Sequence, residues 1–96
     1  MISIRIAVCL LEIHIPEATS LKKKRQVIQS LVKRLRNRFN LSVAEVGCKD
    51  LWQRSELGLA AVCQNSGSAD RVMEQVLSFI EQENRVNIIS STTEVY

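Results

Sequence analysis

Ninety-six residues, 46% of them apolar and 24% charged, with a net charge of +3, specify one soluble globular domain spanning residues 1–96. This composition excludes a disordered chain, and no apolar run reaches the roughly 18 residues a membrane helix needs. The three cysteines, Cys9, Cys48 and Cys63, are odd in number and lack a CxxC spacing. They argue against a disulfide framework and a zinc site, and for a reduced cytoplasmic setting.

Residues 2–15 read as a long strand. Ile2, Ile4, Ile6, Val8 and Leu10 alternate on one face, and the apolar parity then changes to Leu11, Ile13 and Ile15. A β-bulge near Leu10 and Leu11, or cover on both faces, accounts for the change. The run carries Arg5 and lacks both a basic leader and a small-residue cleavage site, so a signal peptide is not expected. Pro16 ends the strand because it cannot donate to a ladder. Ser20 is placed to cap a helix over 21–39, where Leu21, Val27, Ile28, Leu31, Leu35 and Phe39 form one apolar stripe. Asn40 can take the left-handed conformation that closes it.

A second strand is expected over 41–46 and a third over 52–63, whose Gly58, Ala60 and Ala61 suggest a close neighbour. Asn65, Ser66, Gly67 and Ser68 form a loop in which Ser66 or Ser68 caps a second helix over 69–83. Ala69, Val72, Met73, Val76, Leu77 and Ile80 repeat at helical spacing along it. Residues 86–96 complete the order β-α-β-β-α-β. The expected fold is an α+β ferredoxin-like sandwich, an antiparallel sheet with both helices on one face.

The charge is unevenly spread. Lys22, Lys23, Lys24, Arg25, Lys33, Arg34, Arg36 and Arg38 lie between Ser20 and Asn40 with no carboxylate among them. That leaves five cations against all ten carboxylates elsewhere, so a +8 helix is attached to a mildly acidic body. Solvated helix faces ordinarily mix signs, because like charges at i,i+4 repel. The first four cations also crowd the N-terminal turn, where the helix dipole disfavours them. An anionic partner, whether RNA, DNA or an acidic protein surface, is the expectation for these eight residues, with nucleic acid foremost and a merely solvated face as the alternative. Strand aromatics of the kind that stack RNA bases are not expected: Phe39, Trp52, Phe79 and Tyr96 are the only Phe, Trp or Tyr residues, and Leu57, Leu59 and Ala61 occupy the third strand. Contact would run through phosphates, with weak sequence preference.

Catalytic chemistry is not indicated. His14 stands alone, no Gly-rich phosphate loop is present, and Glu12, Glu45, Asp50 and Glu56 lack an evident cleft. No cofactor, metal or small-molecule substrate is therefore expected. The segment Asp50-Leu-Trp52-Gln53-Arg54 carries the residue types that anchor protein interfaces, although Trp52 could equally cover a core edge with Arg54 stacked on its indole. The first strand is apolar on both faces while helices cover one. Pairing of two copies through the open sheet face, or docking of a partner there, would remove the exposed patch.

His14-Ile-Pro16, Ser20-Leu-Lys-Lys-Lys-Arg25, Arg36-Asn-Arg-Phe-Asn40, Ser42-Val-Ala-Glu-Val46, Asp50-Leu-Trp-Gln-Arg54 and Leu57-Gly58, in that order, resemble the YlxP-like family of small bacterial proteins. The resemblance runs through the first two thirds of the chain, and the Gly47-Cys48-Lys49 stretch departs from the more polar turn of that family. It implies a ferredoxin-like domain of unknown function in the bacterial cytoplasm. The genes of that family often lie beside those for translation initiation and ribosome maturation factors, which implies ribosomal RNA or the ribosome as partner.

Overall fold

Alternating apolar residues make strands and 3.6-spaced ones make helices, and the computed structural model, which describes residues 2–96, sorts them into six elements. These are β1 (Arg5–His14), α1 (Leu21–Arg38), β2 (Ser42–Gly47), β3 (Arg54–Cys63), α2 (Ser66–Glu81) and β4 (Asn87–Val95). The strands form one antiparallel sheet in the order β2-β3-β1-β4. This is the α+β ferredoxin-like arrangement that the order of elements implies. α1 lies over β2, and α2 over β1, β3 and β4.

One face of the sheet meets the helices. Ala7, Cys9, Leu11 and Ile13 of β1, Val43 of β2, and Leu57, Leu59 and Ala61 of β3 are buried against Ile28, Leu31 and Leu35 of α1 and Ala69, Met73, Val76 and Ile80 of α2. The core side of β1 is thus the odd-numbered side along its whole length. The expected parity change and bulge near Leu10 and Leu11 do not occur. β1 pairs with β3 without a break, from Arg5 opposite Cys63 to His14 opposite Arg54. The irregularity is in β4, where Glu12 faces Ser90 and Ile13 faces Ile88, leaving Ile89 unmatched. Ile6, Val8 and Leu10 face the open side with Val62 of β3. A second bulge, at Val46, lays that side chain over Gly58, where an added Cβ would come within 3.2 Å of it.

The helix ends follow local chemistry. The Ser20 hydroxyl accepts from the Lys23 amide at 3.1 Å, as its position predicts. At the other end Phe39 caps α1 with extended backbone, so Asn40 is not the closing residue. α2 begins earlier than its apolar pattern. Asn65 is its N-cap, and Ser68 completes a reciprocal capping box, its hydroxyl accepting from the Asn65 amide at 3.2 Å. Phe39 and Phe79 join the two helices edge-to-face, ring centroids 5.8 Å apart.

Candidate nucleic-acid interface

α1 is polar on the side away from β2, and the angular step of 100° per residue decides which cations it presents. Lys22, Arg25, Lys33 and Arg36 fall along one solvent-facing stripe, with Gln26, Gln29 and Asn37 between them and Lys23 on its flank. All of these side chains are exposed. From Lys22 to Arg36 the stripe is about 21 Å long. Arg38 is also exposed but turns towards α2, where it borders Phe39, Glu74 and Phe79. Among the described residues Lys22, Lys23, Arg25, Lys33 and Arg38 form no ion pair.

The remaining three cations have internal partners. Lys24 is only 1% exposed. It sits on the inward line with Ile28, Leu31 and Leu35, and its ammonium donates to the carbonyls of Cys48 at 2.5 Å and Lys49 at 3.3 Å, with Glu45 at 3.0 Å. Cys48 holds the positive φ of 58° that turns the chain between β2 and β3. The buried lysine therefore fastens a strained turn, and cannot reach a phosphate. Glu45 is further tied by the Ser55 hydroxyl, which donates to it at 2.6 Å. Arg34 is bound to Glu83. Arg36 donates to the Val43 carbonyl at 2.6 Å yet has no carboxylate partner among the described residues, so its charge stays uncompensated.

Glu83 organises a clamp that the charge pattern does not reveal. Its carboxylate accepts from Arg85 Nε at 2.8 Å and the Arg85 amide at 3.1 Å, and from Arg34, while Arg85 also donates to Ser30 at 3.2 Å. The Arg85 guanidinium first, then the Arg85 amide and Arg34, hold the Glu83 carboxyl down at about 2 against the upward push of burial. The clamp ties α1 to the segment entering β4.

A groove of about 560 Å³ runs between α1 and β2. Its walls carry Arg25, Lys33 and Arg36, its floor Ile28 and Val32. The one carboxylate there, Glu45, already serves Lys24 and Ser55. Such a surface can attract and hold phosphate oxygens. Among the described residues no three His, Cys, Asp or Glu side chains gather to hold a metal ion, and no helix is long and apolar enough to cross a membrane.

The 50–54 segment divides. Trp52 is 53% exposed and covers no core edge. Arg54 does not stack on it; it donates to Glu12 at 3.1 Å across the open face. Gln53 fastens the loop after β1, donating to the carbonyls of Pro16 at 3.1 Å and Ala18 at 3.3 Å. Asp50 is an exposed turn residue.

Residues 6–93 match the profile of a family described as "Protein of unknown function (DUF503)". The chain is 36% identical to "Uncharacterized protein YlxP" of Bacillus subtilis (strain 168) over 83 residues, covering 86% of this chain and 90% of that one. "De novo designed protein Foldit4" superimposes with a TM-score of 0.49 at 16% identity, covering 96% of this chain and 93% of the designed one.

Proposed function

We propose that this chain, which belongs to the DUF503 family, is a non-enzymatic RNA-binding accessory factor that docks structured, ribosomal RNA through the solvent face of α1. The observation that carries the reading is the stripe of Lys22, Arg25, Lys33 and Arg36 with Lys23 beside it, five exposed cations without a carboxylate partner among the described residues. A folded domain ordinarily interleaves carboxylates among such charges; forgoing them leaves a field that attracts a polyanion and speeds its encounter. The exposed rings Trp52 and Tyr96 lie outside α1, so the contact is with phosphates rather than with unstacked bases. Lys24 is not part of the contact.

The test is a titration of the protein against fluorescent structured RNA from the small ribosomal subunit at several salt concentrations. Neutralising four or five phosphates gives a slope of log K on log salt of about −3 to −5. Replacing Arg25, Lys33 and Arg36 with Glu removes most of that slope and the affinity with it, while Lys24→Met in folded protein keeps the slope. Absence of binding at low salt overturns the reading.

A second reading rests on Trp52 and Leu51, 53% and 51% exposed in the β2–β3 connection, together with the open sheet face around Leu10, Val46 and Val62. These would serve a protein partner or a second copy. Trp52→Ala then abolishes capture of that partner and leaves RNA titration unchanged.

A further inference from the structure

A sheet has two edges, and those of this protein are finished differently. β2 is six residues long, is kinked by the bulge at Val46, and has its Val43 carbonyl occupied by the Arg36 guanidinium at 2.6 Å. Short length, a bulge and an edge-capping cation are the devices by which native edges resist pairing. β4 has almost none of them. It is nine residues long, contains no Pro, Lys or Arg, and carries one charge, Glu94. Its single irregularity, at Ile89, leaves 90–95 regular.

The hydrogen bonds show which backbone groups are free. Ile6 and Tyr96 exchange both main-chain bonds, each 2.9 Å. In an antiparallel ladder such pairs alternate, so Glu94, Thr92 and Ser90 also turn their N–H and C=O towards β1. Ser91, Thr93 and Val95 therefore turn theirs outwards. The side chains of Ser91 and Thr93 project on the helix side yet remain exposed, so α2, although it lies over β4, leaves these two positions open.

We infer that β4 is a self-pairing edge, along which two copies of this chain join antiparallel about a twofold axis at Thr93 into one eight-stranded sheet. The occupant is a second copy because the strand is complementary to itself in that register. Thr93 meets its own counterpart, Ser91 meets Val95, and about six main-chain bonds close the ladder. Glu94 lands opposite Thr92 of the other copy. A register centred on Glu94 would oppose the two carboxylates, which is destabilising, and one centred on Thr92 would run the ladder into the bulge at Ile89. An unrelated strand could use the free groups, but nothing in a row of Ser and Thr would select it.

The arrangement has a geometric consequence. An antiparallel join across a twofold axis keeps both helix layers on one side of the sheet. α1 lies over β2, so the two cationic stripes stand at opposite ends, about seven strand spacings or ~33 Å apart. The monomer keeps its own stripe, so loss of pairing and loss of RNA binding are separable results.

Sedimentation equilibrium and amide hydrogen exchange over a range of protein concentration test the inference. The mass should approach twice the 10.9 kDa of one chain. The amides of Ser91, Thr93 and Val95 should gain protection as concentration rises, while those of Thr92 and Glu94 are protected throughout. Thr93→Lys, which sets two cations face to face at the axis, should stay monomeric at concentrations where the native chain is dimeric. Thr93→Pro should do the same by removing the outward N–H; if it does not fold, Thr93→Lys carries the test, since the position is exposed. Val62→Lys on the open face should leave the dimer intact. A monomer at every concentration, a dimer that survives Thr93→Lys, or one lost in Val62→Lys would overturn the inference.

Discussion

Lys24 and Lys33 occupy the same helix, yet one belongs to the fold and the other to the solvent. Lys24 lies on the inward line of α1 with three oxygen partners, and Lys33 lies on the outward stripe with none among the described residues. Arg34 and Arg36 repeat the contrast two residues apart, the first held by Glu83 and the second bound only to a neutral carbonyl. A helix of charge +8 therefore does not present eight charges. What it presents depends on the angle at which each residue leaves the axis, and only the cations without carboxylate partners are free for another molecule.

The largest expected effect falls on the inward side. Lys24→Met removes the donor to two main-chain carbonyls and the ammonium partner of Glu45, at a position 1% exposed. The cost is about 3 kcal/mol, the sum of buried acceptors left unpaired and a carboxylate left without its cation. In a domain of this size that lowers the melting temperature by about 12–24 °C. An unchanged melting temperature would place Lys24 with the outward cations and erase the distinction.

The Glu83 clamp gives the next effect, and pH reads it. The folded carboxyl titrates at about 2, below its ordinary 4.5, so its contribution to stability is complete above pH 5 and is lost as pH falls from about 4.5 towards 2. With Arg34 and Arg85 both partly exposed, the loss is about 2 kcal/mol at most. Denaturant unfolding measured between pH 6 and pH 2 should show it in the native protein and not in Glu83→Gln, which starts lower and changes less. Equal pH dependence in both would mean that Arg34 is as free as Lys33.

The order of elements, the start of α1 at Ser20 and the buried side of α2 were all legible, because each rests on spacing within one segment. The core side of β1 was not. Ile6, Val8 and Leu10 continue the alternation begun at Ile2 and Ile4 before the apolar parity passes to Leu11 and Ile13, so alternation alone marks no single core side. The structure buries the smaller residues, Ala7 and Cys9, in one core with Ala61 of β3 and Ala69 of α2, a fit between β1 and the helix packed on it. That requirement arises between segments and leaves no periodic trace in either. Lys24 did leave one, since it falls four residues before Ile28 and seven before Leu31 on the apolar stripe; a charge at such a position signals a buried partner. Asn65 was likewise readable as a cap three residues before Ser68. The clamp at Glu83 was not, because two of the groups it gathers, Arg34 and Ser30, come from a distant helix.

The smallest effect is the most direct statement about the outward stripe, because it predicts a gain. Lys33 has Arg36 three residues on, and like charges at that spacing repel. Lys33→Glu replaces the repulsion with an attractive pair in the favourable order, acid before base. It lies more than one turn from the helix end at Arg38, so the dipole penalty for a carboxylate is slight. The free protein should become more stable by about 0.2–0.5 kcal/mol, read as a higher denaturant midpoint at low ionic strength, and the gain should vanish at high salt. The same substitution should weaken RNA binding. Stability and affinity moving in opposite directions would mean that the fold tolerates a repulsion it could relieve with one substitution, as expected where the charge serves an external anion. A loss of stability would place Lys33 among the residues the fold itself uses.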